Sequence, residues 1–214
     1  MEDMYDGDLT AIERYNARAS EKYRLHPEMG PCPHEGNIDT APVVLLLANP
    51  GHDATSTLDD HHFRIDGWPL AGLHQNAPVG MSGWWRPRLR SLCQRYGEQF
   101  ISQNVAALQI NPWASAKYDE NLRLPSRSVL LGLAEAAAGR GAALIMIRAS
   151  KAWLESGVLR QYEHIYRTNS ALSSYVSEGN LSPEAWAYIN EKLAAVAWTI
   201  DSSSLKQWAG YSTC

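Results

Sequence analysis

Three groups capable of chemistry follow one apolar run. Val43-Val44-Leu45-Leu46-Leu47 passes through Ala48 into Asn49, and the Pro50-Gly51 pair leads to His52 and Asp53. An amide, an imidazole and a carboxylate thus leave one segment together. Asp53 is the local candidate for activating a water or steadying a developing cation, since a carboxylate suits both tasks. Capping of its own turn is an equally available role. A second amide, Asn111, closes another apolar run and is followed by Pro112-Trp113. A third polar group is the serine-rich stretch Ser170-Ala171-Leu172-Ser173-Ser174. Metal-ligand types occur in pairs only: Cys32 with His34, and His61-His62 beside Asp59 and Asp60. No second pair follows Cys32 and His34 at useful spacing, and adjacent histidines seldom ligate one ion, so no metal is expected.

These groups need a scaffold. The run 43–47 is too short for a helix and ends abruptly at Pro-Gly, which predicts a strand buried on both faces, as parallel sheets provide. Strands are likewise predicted at 104–110, 142–147 and 162–167. Helices are predicted over 9–25, from Gly83 through the Trp84-Trp85-Arg86-Pro87-Arg88 segment, over 129–138, from Ser150, and from Ser182-Pro183-Glu184 to about Trp198. The last carries an N-cap, an N1 proline and a first-turn acid in favourable order. Residues 26–42 read as loop, and the polar stretch 52–82 as a long loop of the kind that is usually functional or disordered. Alternation of strands and helices predicts an α/β fold, a three-layer α/β/α sandwich on a short, mainly four-stranded parallel sheet. In such sheets, ligands bind outside the carboxyl ends of the strands. Asn49, His52, Asp53 and Asn111 all fall there.

Composition narrows the class. The 214 residues suit one domain, 1–214, with 1–40 an N-terminal helix and loop extension. The net charge of −4 does not advertise nucleic acid, although a local basic face matters more than the total. Eight tryptophans and ten tyrosines against two phenylalanines favour interfaces and ligand clefts. Three scattered cysteines argue against a disulfide framework or an iron–sulfur centre. The polar, acidic start and the lack of a long apolar run predict a cytoplasmic protein with no membrane association, expected to be a monomer. Neither a glycine-rich dinucleotide fingerprint nor a phosphate-loop lysine pattern is present, so no cofactor is expected.

The segment Val43–Gly51, with Asn-Pro-Gly after a hydrophobic strand, resembles the first motif of the uracil-DNA glycosylase superfamily. Its mismatch-specific uracil/thymine branch is the most similar. Ser170-Ala-Leu-Ser173-Ser-Tyr-Val176-Ser is similar to that branch's second, wedge-bearing loop. Gly83-Trp84-Trp85-Arg86-Pro87-Arg88-Leu89 resembles its aromatic helix start, and 143–153 its strand-then-helix segment. Together these cover about residues 40–198. The chain departs from the pattern at Thr168-Asn169, where the family has Asn-Pro, and at Arg148-Ala149. Both departures bear on base specificity more than on reaction class.

The resemblance implies a DNA partner and a monofunctional DNA glycosylase that flips out a base and hydrolyses its N-glycosidic bond. Uracil, a mismatched base or a bulky modified cytosine is the expected target, the last because loop 52–82 could wall a larger pocket. Asn49 is then the water-positioning residue beside Asp53. Gly51, His52, Trp84, Trp85 and Asn111 form the base pocket. Ser170, Leu172, Ser173, Arg86 and Lys151, with Arg88, contact DNA, Leu172 filling the vacated stack. Rival roles stay open: helix-capping serines, helix-start packing tryptophans, solvated cations. Two rival functions also stand, namely a catalytically weak DNA-binding module on the same fold and a hydrolase of free nucleosides.

Overall fold

A computed structural model describes residues 3–170 and 173–209. It is an α/β fold built on a five-stranded sheet. The strands are β1 (His34–Glu35), β2 (Val43–Leu47), β3 (Val105–Gln109), β4 (Ala143–Met146) and β5 (Ile165–Arg167), in the order β1-β3-β2-β4-β5. Only β1 runs antiparallel, pairing His34 with Leu108. β2 lies parallel between β3 and β4, with Val43 opposite both Val105 and Ala143. The expected four-stranded sheet is therefore one strand short, because β1 comes from the segment read as loop.

Helices cover both faces, compatible with a three-layer α/β/α arrangement. Val43, Leu45 and Leu47 pack with Trp85, Leu89 and Leu92 of α3 (Val79–Tyr96), Ile101 of α4 (Glu98–Asn104), and Ala185, Ile189 and Leu193 of α8 (Pro183–Ala209). Val44 and Leu46 pack with Leu130, Ala134 and Ala137 of α5 (Arg127–Gly139) and with Trp153 of α6 (Ser150–Trp153) and Leu159 of α7 (Gly157–Gln161). Alternation along β2 thus feeds two cores, each buried Val or Leu side chain contributing roughly 1.5–3 kcal/mol.

The remaining boundaries have physical causes. The first helix, α1, spans Asp3–Asn16 rather than 9–25. Asn16 stops it by donating to the Leu25 carbonyl and accepting from the Leu25 N–H, at 2.8 and 2.9 Å, which turns the chain back so that Leu25 packs on Ile12. Stretch 52–82 is not a single loop. It contains α2 (Leu58–His61), a 3₁₀ turn at Ala71–Leu73, and the start of α3. Leu70 and Leu73 anchor it in the core, and His62 Nε2 donates to the Met29 carbonyl at 2.7 Å. Thr57, not anticipated as a cap, accepts from the Asp60 N–H. Among the described residues, no helix is long and apolar enough to cross a membrane.

Candidate active site

The carboxyl edge of the sheet is the place where the chemistry-bearing residues meet. β2 and β3 leave it through two Asn-Pro turns side by side. The Ile110 and Asn111 N–H groups extend the ladder to the carbonyls of Leu47 and Ala48, and Gly51 bridges to Ser115. Sequence placed Asn49 and Asn111 at one edge, and the register makes them neighbours.

Asn49 is held by its amide nitrogen. Nδ2 donates to the Pro50 carbonyl at 2.8 Å, the Ser115 carbonyl at 3.0 Å and Ser115 Oγ at 2.9 Å. Ser115 Oγ in turn donates to the Lys117 carbonyl, and Ser115 N–H donates to Pro50. Two hydrogens shared among three acceptors fix the amide's orientation, and Oδ1 accepts no bond among the described residues. Asn111 is the mirror case. Its Oδ1 accepts from the Trp113 N–H at 3.0 Å, leaving Nδ2 without a partner among the described residues. One amide therefore presents an acceptor and the other a donor.

Asp53 and His52 take other roles. The Asp53 carboxylate is exposed and accepts from the Thr55 N–H at 2.8 Å, Thr55 Oγ1 at 2.7 Å and Ser56 Oγ at 3.3 Å. These hydrogen bonds hold its pKa below the usual carboxylate value. A carboxylate so committed is a weak base, and the turn-capping role is the one its geometry fulfils. His52 stacks on His26 with ring centroids 3.6 Å apart, while His26 Nδ1 donates to Glu28 at 2.8 Å. Burial and the His26 ring lower the His52 pKa, partly opposed by Glu28. Two shallow cavities of about 480 and 310 Å³ lie between α1 and residues 24–28, the smaller of them lined in part by His26.

β4 and β5 supply a different surface. Arg148 follows β4, and Ala149 after it adopts the left-handed conformation (φ 54°, ψ 35°), the only non-glycine with positive φ among the described residues. Loop 168–176 follows β5 and is stapled by Asn180. The Asn180 side chain accepts from the Ser170 N–H and donates to the carbonyls of Ser173 and Tyr175, while its backbone carbonyl receives the Asn169 N–H. Ser170 Oγ accepts from the Ser173 N–H at 3.2 Å. Leu172, the expected wedge, lies outside the described residues.

Arg88 joins this loop to α3. Its Nε donates to Ser174 Oγ and its Nη1 to the Trp84 carbonyl, both at 2.7 Å, with the guanidinium 3.4 Å over the Trp84 ring. The Trp84 ring is thus a platform for Arg88 on one of its faces. Trp85 is buried at 1 % exposure and donates Nε1–H to Glu35 at 3.0 Å, so it belongs to the core. Arg86 points away, donating to the Leu73 carbonyl and pairing with Glu98 at 3.7 Å. Lys151 is an exposed surface cation near Glu120 at 3.6 Å.

Sequence reasoning missed Ser115, Asn180 and Ser174 as positioning groups. Only the repeated Asn-Pro pair hinted at the first. Cys32 and His34 do not converge on an ion site: the Cys32 thiol, pushed up to about 12 by burial, sits 3.9 Å from Arg64. Among the described residues, no group of three or more metal-ligand side chains forms. No protein-family model matches the chain, and neither curated proteins nor solved structures yield a match.

Proposed function

We propose that the protein is a monofunctional DNA glycosylase on a uracil-DNA glycosylase-like sandwich. The observation that carries this reading is the fixed Asn49 amide, whose unengaged Oδ1 faces the same sheet edge as the serine loop after β5. The two segments that resemble the superfamily are about 120 residues apart in sequence, yet their strands are separated only by β4.

The chemistry follows from these groups. A nucleotide leaves the stack, since the glycosidic bond is unreachable inside it. Asn49 Oδ1 accepts a hydrogen bond from a water and aims its lone pair at the anomeric carbon. The carbon–nitrogen bond breaks with its electron pair going to the base, and the water adds to the oxocarbenium-like sugar and loses a proton to solvent. Alignment supplies the rate, because an amide is a poor base. With Oδ1 accepting from Trp113, Asn111 offers its Nδ2 donors, which favours a base presenting a carbonyl oxygen. Uracil and thymine have two such oxygens and cytosine derivatives have one.

The engagement of Asp53 in its own turn favours a second reading, a DNA-binding module with weak catalysis on the same fold. Duplex and single-stranded oligonucleotides carrying uracil, mismatched thymine or modified cytosine, treated with alkali after incubation, separate the two. Abasic-site cleavage that disappears in Asn49→Ala supports the enzyme. Binding with no abasic product on any substrate favours the module, and activity on free nucleosides alone rejects both.

A further inference from the structure

The N-terminal helix contains a carboxylate that the proposed reaction does not use. Asp8, in the second turn of α1, is fully buried. Its Oδ2 accepts from Trp113 Nε1 at 2.7 Å, and its Oδ1 accepts from the Ser126 N–H at 2.9 Å. The two donors lie 105 and 118 residues further along the chain. Both carboxyl oxygens are thus committed, each to a residue that is itself buried. Removing one partner here leaves a buried polar group unmatched, which costs more than the bond itself contributes.

Trp113 links that carboxylate to the candidate site. Its peptide N–H donates to Asn111 Oδ1 at 3.0 Å, a local bond of the Asx type. This bond decides which end of the amide is left for a ligand, because the reversed amide would set Nδ2 against the N–H. What holds the turn is not local. The indole is gripped by Asp8 and met edge to face by the Tyr5 ring, with centroids 5.9 Å apart, and it shares a small core with Ile12 and Leu25. The Pro112 carbonyl accepts from the Cys32 N–H at 2.8 Å, and the Ala114 carbonyl from the His26 N–H at 3.0 Å. Residues 5–32 therefore hold the turn from which Asn111 presents its Nδ2.

We infer that Asp8 is a positioning residue for base recognition: it fixes Trp113, and Trp113 fixes the Asn111 amide with its donors toward the base. The inference rests on the glycosylase reading, which sets the base beside Asn111. It gives α1 a part in selectivity without asking the helix to touch the substrate. While the amide is fixed, a base with a carbonyl oxygen opposite Nδ2 is matched and one with an amino group there is not. Once the anchor is gone the amide turns, and Oδ1 can meet the amino group instead. Loss of Asp8 should therefore cost discrimination as well as rate.

The test reads the amide and the reaction in the same variants. Asp8→Asn turns a donor toward either Trp113 or Ser126, and Trp113→Phe removes the indole donor while keeping the peptide N–H. In ¹⁵N-labelled protein, the Asn111 side-chain amide, identified by its disappearance in Asn111→Asp, should be rigid in wild type and lose order on the ps–ns timescale in both variants. Single-turnover excision of uracil from a single-stranded oligonucleotide should fall by up to about 10²-fold, the cost of misplacing a positioning group by about 1 Å. Excision of a 5-modified cytosine from the same strand should fall less, so discrimination between the two narrows. The double variant should narrow it no further, because the two residues act along one path. Cooperative thermal unfolding checks that each variant folds; if Asp8→Asn does not, Trp113→Phe decides. Wild-type amide order, or an equal loss on both bases, overturns the inference, and where the cytosine product is below detection the amide order decides. The two readings fail separately. A loosened amide with no abasic product on any base keeps the link from Asp8 to Asn111 and rejects the glycosylase, whereas excision with wild-type amide order and discrimination does the reverse.

Discussion

The two halves of the sheet edge are built on opposite principles. On the β2–β3 side, two neutral amides are held rigidly by short backbone turns, and each has one polar atom left over. On the β4–β5 side, charge and hydroxyls dominate: Arg148, Arg88 and the serine loop, fixed by Asn180 and by a helix from across the sheet. Neutral, aligned groups suit a reaction in which geometry does the work. Fixed cations suit holding a charged strand at any base. Under the proposed function the contrast separates chemistry from grip, and each half should be open to damage without the other.

The largest effect should follow from breaking the amide side. Asn49→Ala removes the oxygen proposed to align the water and the donor that ties Pro50 to Ser115. Loss of one positioning dipole of this kind costs about 10²–10³ in rate. Single-turnover excision should fall by that factor, while affinity for an oligonucleotide, assigned by the proposal to the other half, should stay close to wild type. A matching loss of affinity would mean that the halves are not separable. Asn49→Asp sharpens the point. It keeps an oxygen but cannot donate to two carbonyls, so it should lose about 1–3 kcal/mol of stability, read from urea unfolding.

On the other side, Asn180→Ala removes three side-chain hydrogen bonds that hold loop 168–176 and leaves the carbonyls of Ser173 and Tyr175 without their donor. Stability should drop by about 2–4 kcal/mol, the range for breaking a buried polar network. Affinity for DNA should fall with it, and the rate for substrate already bound should fall less. A variant that loses rate and keeps affinity would reverse the assignment of the two halves.

What sequence could and could not reveal divides along physical lines. The aliphatic runs of β2, β3 and β4 identify themselves, because strands buried on both faces need no alternation. β1 does not: its two residues, His34 and Glu35, are polar and adopt extended pairing only because β3 offers an edge. α2 and α7 are four and five residues long, below the length at which periodicity speaks. Within α3 the information was present in the spacing. Trp85, Leu89 and Leu92 follow the i, i+4, i+7 stripe of a buried face, which assigns Trp85 to the core. Arg86 and Arg88, two positions apart, cannot share a face, so only one could join the serine loop. The Asn49–Ser115 clamp spans 66 residues, and no local pattern announces it.

A smaller effect concerns the loop that leads away from the amide side. Burial, joined by the charge of the His62 ring, lowers the His61 pKa to about 4 from its ordinary 6.5. Between those values the unfolded chain binds a proton that the folded one refuses. Stability should therefore be fully present above pH 6.5 and decline as pH falls toward 4. His61→Gln should flatten that slope in thermal unfolding measured across the range. If the comparison holds, the salt dependence of DNA binding should be the same in this variant as in wild type, since α2 packs on the Pro27–Met29 turn and on α3 without bonding to Arg88 or the serine loop.

The smallest expected effect lies at the border between the halves. Ala149 holds φ at 54° immediately after Arg148, a conformation that costs an L-residue with a Cβ about 1–2 kcal/mol and costs glycine almost nothing. Glycine gives part of this back through the greater freedom of the unfolded chain. Ala149→Gly should therefore stabilise the fold by about 0.5–1 kcal/mol, a rise in Tm of roughly 1–4 °C for a chain of this size. The functional consequence tells more than the stability. Strain at a strand exit persists where the surroundings over-determine it, and here it lies between Arg148 and the start of α6. If that strain matters, the relaxed variant should bind DNA with a shallower salt slope than wild type despite being more stable. A variant that gains stability and keeps its full slope would mean that the left-handed turn serves packing of α6 alone.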